Sequence, residues 1–88
     1  DLYDFKANIE GAQKIFEIFT PKLQTKNPAL VTELTDKFRV INALLDKHKQ
    51  GDNGYISYTK LTPQDTKELA EAVNKLGEPL AQMGIVLK

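Results

Sequence analysis

Alternating three- and four-residue steps between apolar side chains recur in three stretches of this chain, and that rhythm restricts it to packed helices. The first track is Leu2, Phe5, Ile9, Ala12, Phe16, Phe19 and Leu23. The second is Val31, Leu34, Phe38, Ile41, Leu45 and the part-apolar His48, and the third is Leu69, Val73, Leu76, Leu80, Met83 and Leu87. Such steps bracket the helical repeat of about 3.6 residues, so each track forms one stripe along a helix. Stripes this apolar have to be covered. A mean spacing near 3.5 also favours neighbours crossing at a shallow left-handed angle of roughly 20°. The spacing therefore predicts an all-α domain in which Phe16, Phe38 and Val73 meet in a shared interior.

Capping chemistry places the breaks. Asp1 and Asp4 put negative charge at the positive end of a first helix, expected over about residues 1–25 with a bend at Pro21. Asn27 followed by Pro28 suits the start of a second helix, over about 28–49, and Thr62 followed by Pro63 the start of a third, over about 63–87. Gly77 and Pro79 fall inside the third without disturbing its phase. Residues 50–62 read as a loop with extended character, built on the turn cluster Gly51-Asp52-Asn53-Gly54. Short connections between long helices imply an up-down-up antiparallel three-helix bundle. Ile15, Ile18, Leu30, Val40, Leu44, Ile85 and Val86 lie off the main stripes, more apolar side chains than three helices standing alone need. They fit a domain that is part of a larger helical bundle, or one that docks a partner helix or second subunit.

Eighty-eight residues, 41% of them hydrophobic, form a single domain with a modest core. Twelve basic residues balance twelve acidic ones, so there is no field to draw nucleic acid, and no apolar run reaches the roughly 20 residues that span a bilayer. With no cysteine, disulfides and thiolate metal sites are excluded. The opening at Asp1, already on a helical turn, leads us to expect a fragment of a longer protein.

Several constellations invite chemistry. Asp52-Asn53-Gly54-Tyr55-Ile56-Ser57 mimics the middle of a calcium-binding EF-hand. With Gly54 in the glycine place, however, Lys49, Gly51 and Lys60 occupy ligand positions, and a tight turn is the better reading. His48 is the only histidine, and at a helix end it suits a capping role. Tyr3, Tyr55 and Tyr58 fit the cover of a bundle end better than a stacking platform. Glu10 and Lys14 are spaced as a surface ion pair. Asp1, Asp4 and Asn8 share one helical face beside the buried stripe, and Gly11 continues it. Three oxygen-bearing side chains in such a row suit a hard cation or the support of a catalytic group. The plainer alternative is that the acids serve the helix dipole, Asn8 is solvated and Gly11 is a packing notch.

The string Asp1-Leu2-Tyr3-Asp4-Phe5-Lys6-Ala7-Asn8-Ile9-Glu10-Gly11-Ala12-Gln13 resembles the start of the C-terminal portion of the imelysin-like domain of EfeM/EfeO-type lipoproteins of bacterial iron uptake. Asn27-Pro28-Ala29-Leu30, Ile41 through Leu45, Gly54 through Tyr58 ahead of Leu61-Thr62, and Ala72-Val73 through Glu78-Pro79-Leu80 follow the same pattern in order. The resemblance implies an all-helical, extracytoplasmic domain, in the periplasm or on a cell-surface lipoprotein, acting in iron acquisition. It implies no cofactor within this chain, iron or another divalent cation in the longer parent, and as partners the rest of that parent and iron-permease components. The His-x-x-Glu motif that ties family members to peptidases is absent, because His48 is followed by Lys49, Gln50 and Gly51. Asp1, Asp4, Asn8 and Glu10 lie in the best-matching segment and are the candidates for lining or supporting a metal site completed upstream. Two other classes stay open: part of an imelysin-like metallopeptidase, and a helical protein-interaction module.

Overall fold

Asn27 and Thr62 fix where the second and third helices begin. The Asn27 side chain accepts from the Leu30 amide at 3.1 Å, and Pro28 occupies the first turn, where its missing N–H costs nothing. Thr62 and Asp65 form a reciprocal capping box: each backbone N–H donates to the other's side-chain oxygen, both at 3.1 Å. The computed structural model describes residues 2–50, 54–55 and 61–88. Its elements are α1 (Leu2–Lys26), α2 (Pro28–Lys47), β1 (Lys49–Gln50), β2 (Gly54–Tyr55) and α3 (Pro63–Val86).

The all-α architecture is as the spacing predicts, with small differences at the element ends. α1 runs unbroken through Pro21, which offers no N–H to the Glu17 carbonyl, while the Thr20 hydroxyl donates to the Phe16 carbonyl at 2.7 Å. α2 stops at Lys47, two residues short of the expected end. The His48 amide turns back to the Leu45 carbonyl at 3.1 Å, and Lys49–Gln50 leaves the helix to pair antiparallel with Gly54–Tyr55. The expected extended character of this connection is therefore a two-residue ladder, which lies against α1. The turn residues Gly51 to Asn53 and the stretch 56–60 lie outside the described residues, as do Asp1 and the side chains of Tyr3, Gln50 and Tyr55. The calcium-loop and tyrosine readings fall there.

α2 is the middle helix. Its stripe Leu30, Leu34, Phe38, Ile41 and Leu45 is wholly buried, and it packs against both neighbours along their lengths. From α1 come Leu2, Ile9, Phe16 and Leu23, with Phe16 stacked on Phe38. From α3 come Leu69, Ala72, Leu76, Pro79 and Met83. Val73, expected beside Phe16 and Phe38, is instead 37% exposed. α3 is turned toward α2 so that the small Ala72 and the flat ring of Pro79 face inward, which leaves Val73 on the flank. Of the surplus apolar residues, Leu30 is in the core and Leu44 and Val86 pack against it, whereas Ile15, Ile18, Val40 and Ile85 are exposed.

Candidate functional site

An unbroken α1 decides how its polar residues are distributed. Asp4 and Asn8, one turn apart, share an exposed flank of the helix, as their spacing implies. Glu10 stands six residues from Asp4, which at about 100° per residue carries it to the far side. There it pairs with Lys6 at 3.9 Å, not with the Lys14 its sequence spacing offered. Asp1 lies outside the described residues. The helix thus brings together Asp4 and Asn8 and separates Glu10 from them. Among the described residues no group of three or more histidine, aspartate or glutamate side chains converges to hold a metal ion. Asp4 and Asn8 can offer two oxygen ligands, and further ligands would have to come from outside the described residues.

Behind that flank, a polar bridge joins α1 to α2. The Lys6 ammonium donates to Asn42 Oδ1 at 2.5 Å, and Asn42 Nδ2 donates to Gln13 Oε1 at 3.0 Å and to the Phe38 carbonyl at 2.9 Å. Asn42 uses its acceptor and its amide donors together in a half-buried position. Lys6 thereby anchors one flank of α1 on α2 and leaves the Asp4–Asn8 flank facing the other way.

The up-down-up order gathers three more features at the Asp4 end. His48, 6% exposed, caps α2, and its Nε2 lies 4.0 Å from Asp65 Oδ1 at the start of α3. Lys47 pairs with Glu68 at 3.7 Å beside it. The Thr62 amide, donating to the Asp65 carboxylate, holds that group below the usual carboxylate range. Partial burial opposes this, and the Thr62 side chain and the charges of His48 and Lys47 reinforce it. The expected role of His48 as a helix-end residue is what the geometry shows, with a carboxylate partner across the helix junction added. The third feature is an open groove of about 350 Å³ between α1 and α3, lined by Leu2, Phe5, Leu61, Leu69 and Val73, with Thr66, Ala70 and Asn74 at its edge. Among the described residues no charged side chain lines it, so this lining suits apolar matter.

The sequence reading did not single out Lys6, Gln13 and Asn42. Their only signal is polar character beside buried stripe positions.

The geometry defines a helical-bundle module with the oxygen-bearing side chains of Asp4 and Asn8 on an exposed flank at one end and an apolar groove at that same end. A model of the imelysin family matches residues 1–83, and the chain belongs to that family. It is 54% identical over 98% of its length to an Efem/EfeO family lipoprotein of Staphylococcus haemolyticus (strain JCSC1435). It is 50% identical over the same share to proteins of that description from Staphylococcus aureus strains MSSA476 and MW2. The chain spans about 30% of the length of these relatives. No helix among the described residues is long and apolar enough to cross a membrane.

Proposed function

We propose that the chain is the C-terminal helical part of an extracytoplasmic lipoprotein that binds iron for uptake, and that Asp4 and Asn8 contribute to the cation site. The observation that carries this reading is the match to Efem/EfeO family lipoproteins along 98% of the chain. The shared exposed flank of Asp4 and Asn8 supports it, since hard oxygen ligands suit iron and related divalent cations. Iron is cargo here, held by groups from this chain and from the rest of the polypeptide. The chain's one histidine has glycine, not glutamate, three residues on, so the metallopeptidase alternative attaches to none of this chain's own residues.

Titration of the full-length polypeptide with iron tests the proposal. Binding is expected, and Asp4→Ala should weaken it about tenfold or more, a loss of one charged ligand worth at least about 1.4 kcal/mol. Unchanged affinity in that variant removes Asp4 from the site, and no binding by the unsubstituted polypeptide overturns the iron reading itself.

A further inference from the structure

One half-buried amide on α2 grips α1 at two points. Asn42 Nδ2 donates back to the Phe38 carbonyl of its own helix at 2.9 Å, which fixes the direction of the amide. Held that way, it accepts from the Lys6 ammonium at 2.5 Å and donates to Gln13 Oε1 at 3.0 Å. Lys6 is tied as well to Glu10 on its own helix at 3.9 Å, and its side chain is only 23% exposed. At about 100° per residue, Lys6 and Gln13 stand about 200° and 180° around α1 from Asp4, whereas Asn8 stands about 40° from it. The grip and the proposed ligands therefore sit on opposite flanks of one continuous helix.

Apolar packing alone leaves the rotation of that helix loose. By the same repeat Ile15 and Phe19 stand about 20° and 60° from Asp4, on the way to the buried Phe16 at about 120°. They are 51% and 41% exposed. A roll of α1 that turned them inward would bury more apolar surface, and it would draw Asp4 and Asn8 toward the interior with them. The same roll would pull Lys6 and Gln13 off Asn42, leaving a half-buried amide without its partners, and so the bridge opposes it. Side-chain ends ride about 5–6 Å from a helix axis, so a roll of about 20° moves them by roughly 2 Å, several times the ~0.5 Å within which a metal site holds its ligands.

We infer that Asn42 is a positioning residue for the proposed cation site: through Lys6 and Gln13 it sets the rotation of α1, and so the direction in which Asp4 and Asn8 present their oxygens. The inference rests on the reading of Asp4 as a cation ligand and adds what aims it.

Iron titration of the full-length polypeptide, at a temperature where circular dichroism shows every variant folded, tests it. Asn42→Leu should weaken binding about tenfold, the low end for a residue that orients a metal ligand without touching it. The loss should not multiply with that of Asp4→Ala: the Asp4→Ala/Asn42→Leu variant should bind within about threefold of Asp4→Ala alone. Lys6→Met/Asn42→Leu removes the stranded ammonium and should regain much of the unfolding midpoint without regaining affinity. Affinity that returns together with stability overturns the inference, because Asn42 would then act on the fold alone. Losses that multiply overturn it too, since Asn42 would act other than through Asp4. Unchanged binding in Asn42→Leu beside weakened binding in Asp4→Ala overturns this inference and leaves the ligand reading standing, whereas unchanged binding in Asp4→Ala overturns both.

Discussion

The rings of Phe16 and Phe38 stack with centroids 5.7 Å apart and planes 24° off parallel, joining α1 to α2 at the centre of the interior. Both rings are buried and come from different helices, so neither can be shortened without leaving a void. Phe38→Ala is expected to lower unfolding free energy by about 3–5 kcal/mol, a large share of the 5–15 kcal/mol typical of a domain. Phe38→Leu should cost less, and the Phe16→Leu/Phe38→Leu double variant should fall short of the summed losses by about 1 kcal/mol in urea unfolding. Strict additivity would show that the rings are not coupled.

Asn42→Ala strands the Gln13 carbonyl and the Lys6 ammonium in a half-buried seam. A loss of about 1–3 kcal/mol is expected, the cost of leaving partly buried polar groups unmet. Replacing Lys6 with Met in the same background should recover part of it, read as a partial return of the denaturation midpoint. No recovery would mean that the amide, not the ammonium, carries the bridge.

Thr62→Ala removes one half of the capping box at the start of α3. About 1 kcal/mol of stability should go, equivalent to roughly 4–8 °C in Tm for a domain of this size. Thr62→Ser keeps the hydroxyl and should stay within about 2 °C of the parent by differential scanning calorimetry.

Acid should weaken the α2–α3 junction through Asp65. Its carboxyl is held below its ordinary value of 3.8, chiefly by the Thr62 amide. A depressed carboxylate stabilises the folded state above the unfolded-state pKa, and that stability is lost as pH falls through the folded value. Tm should therefore decline between about pH 5 and pH 3, and Asp65→Asn should flatten that decline while leaving the chain less stable at pH 7. An identical acid limb in the variant would assign the effect to other carboxylates.

Helix number, order and starts were legible because Asn27-Pro28 and Thr62-Pro63 each carry their capping mechanism in two adjacent residues. The facing of α3 was not, since Leu69, Ala72, Leu76 and Leu69, Val73, Leu76 satisfy the helical repeat equally. Only packing against α2 separates them. The grouping of Asp4 with Asn8 followed from spacing, and so should have the separation of Glu10 from them, because six residues is more than one and a half helical turns. Asn42 was hidden for a different reason: its partners Lys6 and Gln13 are 36 and 29 residues away, and no local pattern announces so distant a hydrogen bond.

With α2 as the wall shared by both outer helices, α1 and α3 are coupled to it far more than to each other. What disturbs one outer helix therefore reaches the other chiefly through α2. The side of the bundle away from α2 is thus the one least tied down by packing among the described helices.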